Sequence, residues 1–212
     1  MPSKYKNIEG WFDFQTVYDR AVETAKDGDV LVEIGSWKGM SACYMAELIK
    51  ESDKKLRFYC IDTWCGMVQG EQDANKQGDA LPEFTTNLEA QGLSVRNVYE
   101  SHHSDITAMV SDSTEAAGFF HNKSLHFVFV DDDHGWKKVE SNIIAWYPKV
   151  KDGGVLAGHD YPVPALGKTV RRMLPEVEGV QTSNHNDPTL SSWYWVKNKE
   201  PNLQVCNRPE GQ

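Results

Sequence analysis

The sequence predicts an α/β fold whose central sheet is mostly parallel and covered by helices on both faces. Short runs rich in β-branched and aromatic residues alternate with longer segments in which apolar residues recur every three or four positions. The short runs are nearly continuous in apolar character, which is typical of strands buried on both faces. Neighbouring parallel strands need a crossover between them, so the alternation indicates right-handed β/α units.

Five apolar runs are predicted to form the parallel strands. They are VLVEIG (30–35), RFYCID (57–62), VRNVYES (95–101), LHFVFVD (125–131) and GGVLAG (153–158). Before the first run, residues 1–28 form a lead-in segment whose apolar stripe from Phe14 to Ala25 predicts a helix. A similar stripe from Trp136 to Val150 predicts the helix between the fourth and fifth strands.

The end of the chain departs from this alternation. After a helix around 166–174 come GVQTS (179–183) and SSWYWVKN (191–198), with a polar turn-rich segment and no helix between them. We expect these two runs to pair antiparallel at one edge of the sheet. Residues 63–80 contain three glycines and no periodicity, which favours a long active-site loop. No second domain is indicated, so residues 1–212 are predicted to form one domain.

Composition excludes several classes of function. The 212 residues include 22 basic and 31 acidic side chains, for a formal charge of −9, and no basic run is present. Nucleic acid and anionic membrane are therefore unexpected partners. No apolar stretch approaches the roughly 20 residues of a membrane helix, and the first residues lack the apolar core of a signal peptide, so a cytoplasmic protein is expected. The four cysteines lack CxxC spacing, which argues against a zinc site.

A glycine turn and a later carboxylate point to a nucleoside ligand. In open α/β sheets, ligands bind beyond the carboxyl ends of the strands. The first strand ends in E-x-G-x-x-x-G-x-S, from Glu33 through Gly35 and Gly39 to Ser41, which differs from the G-x-G-x-x-G of dinucleotide sites. Asp62 ends the second strand, where a carboxylate can accept both hydroxyls of a ribose. An ordinary strand-to-helix turn and a capping aspartate are the structural alternatives.

The densest chemistry follows the fourth and fifth strands. The fourth strand ends in Asp131, and Asp132, Asp133 and His134 come directly after it. The fifth strand is followed by His159 and Asp160. Adjacent strand ends would crowd these carboxylates, which is costly without a proton or cation between them. Oxygen ligands suit Mg²⁺ or Ca²⁺, whereas His159 as a ligand favours Mn²⁺, Fe²⁺ or Zn²⁺. Asp132 and Asp133 can alternatively cap the following helix.

Four segments together resemble, in order and spacing, the class I S-adenosylmethionine-dependent methyltransferases. They are VLVEIGSWKGMS, FYCIDTW, the long segment from LHFVFVDDDHGW to GGVLAGHDY, and SSWYWVK. The resemblance is greatest to the small stand-alone branch that includes sugar and macrolide O-methyltransferases. It implies a Rossmann-like, seven-stranded sheet of order 3-2-1-4-5-7-6 with one antiparallel edge strand.

The resemblance also implies roles for individual residues. Glu33, Gly35 and Gly39 would form the methionine side of the cofactor pocket, with Ser41 near its carboxylate and Asp62 on the ribose. Ser104 and Asp105, taken to follow the third strand, would contact adenine, and Trp64 or Trp136 would supply an apolar face for that ring. Asp131, His159 and Asp160 lie where metal-dependent members hold a divalent cation, although His159 replaces an aspartate of catechol-type enzymes. His134 lies at the position of the general base.

The leading hypothesis is therefore O-methylation of a small hydroxylated acceptor by S-adenosylmethionine, with Asp131 and His134 at the reacting end. A divalent cation such as Mg, Mn or Ca is a candidate second cofactor, and a homo-oligomer is left open. One alternative is a non-catalytic module that binds a nucleoside, which would not need the acid and histidine clusters. Another is a nicotinamide-dependent oxidoreductase, which the missing G-x-G-x-x-G disfavours. The acceptor itself carries no readable motif.

Overall fold

The computed structural model describes residues 2–65, 67–68, 71–72, 80–132, 135–182, 189–198 and 200–203. Its strands are β1 Val30–Ile34, β2 Arg57–Asp62, β3 Met67–Val68, β4 Glu71–Gln72, β5 Val95–Asn97, β6 Ile106–Val110, β7 Leu125–Val130, β8 Val150–Gly158, β9 Glu178–Gln181 and β10 Leu190–Val196. Its α-helices are α1 Gln15–Thr24, α2 Met40–Glu51, α3 Leu81–Ala90, α4 Ser113–Ala116, α5 Trp136–Trp146 and α6 Pro164–Met173. Short 3₁₀ helices span Lys4–Asn7 and Ala117–Phe119.

The main sheet has eight strands in the order β5-β6-β2-β1-β7-β8-β10-β9. Strand β1 lies at its centre and pairs in parallel with β2 on one side and β7 on the other. Strand β10 pairs antiparallel with both β8 and β9, as the helix-free end of the chain predicts. A separate two-stranded ladder joins β3 and β4 within the predicted loop 63–80.

Alternating side chains of the central strands feed two cores, one on each face of the sheet. Leu31 of β1 and Phe129 of β7 face the layer that contains α1, α2 and α3. Val32 of β1 and Val128 of β7 face the layer that contains α5 and α6. This two-sided burial explains why the strand sequences are continuously apolar. In the described ranges, no helix has both the length and the apolar character needed to span a bilayer.

The predicted α/β class and the parallel core are confirmed, but the third strand was placed wrongly. The run at 95–101 contributes only the short edge strand β5, whereas the strand next to β2 is β6. Strand β6 reads ITAMV, in which isoleucine, threonine and valine are β-branched, so this segment also has the composition of a strand. The sheet therefore has eight strands rather than seven, and the antiparallel strand β10 lies one place in from the edge.

Candidate active site

Backbone hydrogen bonds align the carboxyl ends of the central strands along one edge of the sheet. The amide of Gly35 donates to the carbonyl of Ile61, and the amide of Asp131 donates to that of Ile34. The amide of His159 donates to Val130, which brings the ends of β7 and β8 to the same level. Side chains from four different segments of the chain therefore meet at this edge, as parallel pairing requires.

A cavity of about 550 Å³ lies at this edge. Among the described residues that line it, four are aspartates and one, Lys138, is a lysine, so this part of the lining is negatively charged. The lining residues come from the lead-in segment, from the ends of β1 and β2 and the segments that follow β1, β2, β6 and β7, and from helices α2 and α5. They are Gly10, Trp11, Ile34, Gly35, Ser36, Trp37, Met40, Ser41, Ile61, Asp62, Thr63, Trp64, Cys65, Ala80, Ser111, Asp112, Ser113, Asp131, Asp132 and Lys138.

The two glycines of the turn after β1 have different structural roles. Gly35 has φ +85°, and a Cβ built there would lie 2.0 Å from the carbonyl oxygen of Asp131. Its lack of a side chain therefore lets the loop after β7 close against the loop after β1. Gly39 has φ +92° and caps α2, with the ring of Phe84 3.0 Å from the position of a Cβ. Gly35 lines the cavity, whereas Gly39 only shapes the turn behind it.

Asp62 lines the cavity and fixes the two turns beside it. Its Oδ2 accepts the amide of Trp37 at 2.9 Å, and its Oδ1 accepts the amide of Trp64 at 2.8 Å. Both tryptophans have positive φ, 40° and 43°, a conformation that costs free energy in a non-glycine residue. Burial raises the pKa of Asp62, although the backbone amides oppose that shift. The amide of Ser36 is a third donor to this carboxylate, which offers about four acceptor sites and so retains capacity for a hydrogen bond from a ligand hydroxyl.

Glu33 lies behind the cavity, on the sheet face covered by α1. The phenol of Tyr18 donates to its Oε2 at 2.5 Å, while Oε1 is buried without a hydrogen-bond partner among the described residues. Only 1% of Glu33 is exposed, and this burial raises its pKa to about 7 against the effects of Tyr18 and the nearby hydroxyls of Ser36 and Ser41. Asp131 adds a smaller increase, because two negative charges repel.

The structure does not place Ser104 and Asp105 after the third strand. They precede β6, and Asp105 accepts hydrogen bonds from Ser94 and pairs with Lys50 at 3.1 Å, away from the cavity lining. The prediction of their position is wrong because the strand itself was misplaced. The residues that do follow β6 and line the cavity are 111–113. Within them, the buried Oγ of Ser113 has no hydrogen-bond partner in the described part of the chain.

A network of charged and amide side chains closes the β6 end of the cavity. Lys138 donates a hydrogen bond to Asp112 at 2.6 Å and lies 4.0 Å from Asp132. Asp132 in turn accepts a hydrogen bond from the side-chain amide of Asn142. Burial raises the pKa of Asp112, but Lys138 and the hydrogen bonds from Thr114 outweigh it and hold the pKa at about 2. Asp112 therefore carries a negative charge at neutral pH.

The two candidate tryptophans have different positions. Trp64 is 2% exposed, lines the cavity, and donates its indole N–H to the carbonyl of Trp37 at 2.9 Å. Trp136 begins α5, is 40% exposed, and is absent from the cavity lining. Of the two, only Trp64 is placed to contact a ligand in the cavity.

Asp131, His159 and Asp160 are brought together, with one ligand atom of each within 4.8 Å of the others. His159 Nδ1 lies 3.5 Å from Asp131 Oδ1 and 3.3 Å from Asp160 Oδ1. Its Nε2 lies 3.0 Å from Asp13 Oδ1, a contact that the sequence did not suggest. Burial lowers the pKa of His159, but the three carboxylates outweigh it and raise the pKa well above its ordinary value. A protonated His159 thus neutralises part of the acidic cluster.

Several predicted site residues lie outside the described residues. Asp133 and His134 fall there, as does most of the predicted loop 63–80. The role of His134 as a base therefore stays a prediction from the sequence.

The sheet order and the cavity at its carboxyl edge define the fold of the class I S-adenosylmethionine-dependent methyltransferases. The family model described as "Methyltransferase domain" matches residues 32–161, and the chain belongs to this family. No curated protein matches the sequence.

Solved structures of methyltransferases are similar in fold. An S-adenosylmethionine-dependent O-methyltransferase from Thermotoga maritima is 16% identical, with a TM-score of 0.61 over 99% of this chain and 74% of that chain. The O-methyltransferase NovP is 16% identical, with a TM-score of 0.55 over 87% of this chain and 79% of that chain. An rRNA methylase from Streptococcus thermophilus is 14% identical, with a TM-score of 0.58 over 90% of this chain and 99% of that chain.

Proposed function

We propose that the protein transfers the methyl group of S-adenosylmethionine to a hydroxyl oxygen of a small acceptor, such as a sugar or a natural product. The observation that carries this proposal is that the cavity at the carboxyl edge of the sheet has two chemically different ends. At one end Asp62 offers carboxylate oxygens suited to a ribose. At the other end Asp131 links the cavity to the cluster with His159 and Asp160.

The cofactor would lie across the ends of β1, β2 and β6. Asp62 would accept the ribose hydroxyls, and residues 111–113 take the place of Ser104 and Asp105 as the adenine contacts. The unpartnered Oγ of Ser113 supports this assignment, because a buried hydroxyl without a partner is costly unless a ligand satisfies it. Trp64 would provide the apolar wall, and Ser41 and the Gly35 turn would enclose the methionine side.

The charge of the cavity favours this cofactor and a small acceptor. S-adenosylmethionine carries a sulfonium, and the described lining, with four aspartates and Lys138, provides a negative potential that attracts a cation. The same potential repels the phosphates of RNA, as does the formal charge of −9 of the whole chain. For this reason we favour a small acceptor over ribosomal RNA, although an rRNA methylase shares the fold.

The acidic cluster would prepare the acceptor hydroxyl for methylation. Methyl transfer is an in-line displacement, so the protein must align the acceptor oxygen and remove its proton. His134 is our candidate for the general base, from its position in the sequence. Asp131, His159 and Asp160 would fit a divalent cation, because two carboxylates and Nδ1 of His159 converge while Asp13 holds Nε2. Binding of the cation would displace the Nδ1 proton of the protonated ring. When bound, such a cation would lower the pKa of the acceptor hydroxyl.

A transfer assay with methyl-labelled S-adenosylmethionine tests the proposal. Sugars, phenols and carboxylic acids would be offered as acceptors, each with added Mg²⁺ or Mn²⁺ and with EDTA. We expect a labelled ether from a hydroxylated acceptor, and loss of activity in EDTA if a cation takes part. Labelled ester products from carboxylic acids alone would overturn the hydroxyl acceptor. Binding of S-adenosylhomocysteine without transfer to any acceptor would favour the non-catalytic module.

A further inference from the structure

The segment that leads into α1 contributes a carboxylate to the acidic cluster. Asp13 Oδ1 lies 3.0 Å from Nε2 of His159, and the two side chains are 27% and 13% exposed. The residues are 146 positions apart in the chain. Because Nε2 is held from this side, Nδ1 of the same ring must face Asp131 and Asp160.

Packing fixes the segment that carries Asp13. The next residue, Phe14, is 1% exposed and stacks on Phe129 of β7 with ring centroids 4.4 Å apart. The Phe14 ring also lies 5.2 Å from the imidazole of His159. Three residues before Asp13, Gly10 approaches α2 so closely that a Cβ would lie 2.8 Å from Met40. Asp13 therefore starts from an anchored backbone, so its carboxylate is held in place.

We infer that Asp13 is a positioning residue for the acceptor site, which orients the His159 ring so that Nδ1 is presented to Asp131 and Asp160. The kinetic part of this inference rests on the proposed methyl transfer, whereas the contact itself does not. Gly10 and Trp11 of the same segment line the cavity. The lead-in segment thus supplies both a wall of the site and the carboxylate that orients its histidine. The competing explanation is a tether that only attaches the segment to the sheet.

The Asp13→Ala and Asp13→Asn variants separate the two explanations, with Asp19→Asn as the matched control. Asp19 lies on α1 and accepts a hydrogen bond from Tyr44 at 2.6 Å, away from the cluster. A first readout is the hydrogen-bonded Nε2 proton of His159 in the NMR spectrum of the protein without ligands, assigned by its loss in His159→Gln. The others are kcat for methyl transfer and the affinity for S-adenosylhomocysteine.

We expect Asp13→Ala to lose the Nε2 proton signal and to lower kcat by up to about 100-fold, since misplacing a reacting group by 1 Å has that effect. Affinity for S-adenosylhomocysteine should stay within about twofold of the parent. Asp13→Asn retains an oxygen that accepts the Nε2 proton, so it should keep the signal and recover most of kcat. Asp19→Asn should match the parent in all three readouts.

Two results would overturn the inference. One is an unchanged Nε2 proton signal in Asp13→Ala, which would mean that Asp13 does not hold the ring. The other is a kcat equal to that of the parent together with a loss of affinity for S-adenosylhomocysteine, which is what a tether predicts. If the parent binds the cofactor but transfers no methyl group, the proposed function fails, while the NMR comparison still decides whether Asp13 holds His159.

Discussion

Replacing Glu33 with glutamine should make the protein more stable at alkaline pH while weakening its hold on the cofactor. Glu33 is 1% exposed, and burial raises its pKa to about 7 from an ordinary value of 4.5. The native state therefore holds a proton that the unfolded chain has released between these two pH values. Stability that is present below pH 4.5 is lost as the pH rises to about 7, because the native state binds more protons.

The size of the effect follows from the two pKa values. Their difference corresponds to about 3 kcal/mol of unfolding free energy above pH 7, and about 2–3 kcal/mol of this appears between pH 5 and pH 8.5. Glutamine stays neutral and retains an oxygen for the Tyr18 phenol. The Glu33→Gln variant should therefore gain about 2–3 kcal/mol over the parent when the pH is raised from 5 to 8.5.

Urea unfolding of both proteins without ligand at pH 5 and pH 8.5 measures this difference. Other titrating groups are common to the two proteins, so their contributions cancel in the comparison. A difference in stability that is the same at both pH values would refute the account of Glu33 as a buried, hard-to-ionise carboxyl. Calorimetry on the same samples should show weaker binding of S-adenosylmethionine to Glu33→Gln at pH 8.5, where Glu33 is ionised in the parent, and similar binding at pH 5, where it is protonated.

Two further predictions concern the first turn and the candidate base. Gly35→Ala should lose at least about 2 kcal/mol of unfolding free energy, because alanine at φ +85° is strained and its Cβ meets the Asp131 carbonyl. Gly118→Ala, where a Cβ meets nothing within 4 Å, is the control, and an equal loss in both variants would contradict the packing argument. His134→Ala should lower kcat by about 10²–10⁴-fold and remove the titration near neutrality from its pH–rate profile. An unchanged kcat would exclude His134 as the base.

The strands that the sequence predicts well are those whose apolar runs match their burial in the folded protein. Strands β1, β2, β7 and β8 are buried on both faces, and their apolar runs predict them within a few residues. The third strand was misplaced because the run at 95–101 also has strand character, although only 95–97 form a strand, at the sheet edge, and β6 follows it. A signal was nevertheless present, since Asp112 and Glu115 form the D-x-x-E start of a helix and Asp112 does cap α4. A helix that begins at Ser113 indicates that a strand ends shortly before it, as β6 does at Val110.

The candidate site was only partly predictable for a different reason. Asp62, Asp131 and His159 end predicted strands, so the topology alone brings them to one edge. Asp13 and Tyr18 come from the lead-in segment, where no motif marks a residue whose side chain reaches the sheet. Their contacts with His159 and Glu33 depend on how α1 packs across the strands, which the sequence pattern does not encode.

Titration calorimetry with S-adenosylhomocysteine on the parent and on Asp62→Ala tests the central claim most directly. The account predicts one binding site per chain in the parent, and a loss of about 1–3 kcal/mol of binding free energy in the variant, because the ribose hydroxyls lose their acceptor. Circular dichroism must show that Asp62→Ala is folded, since Asp62 also holds the amides of Trp37 and Trp64. Absence of binding to the parent, or equal affinity for the folded variant, would contradict the assignment of this cavity to the cofactor.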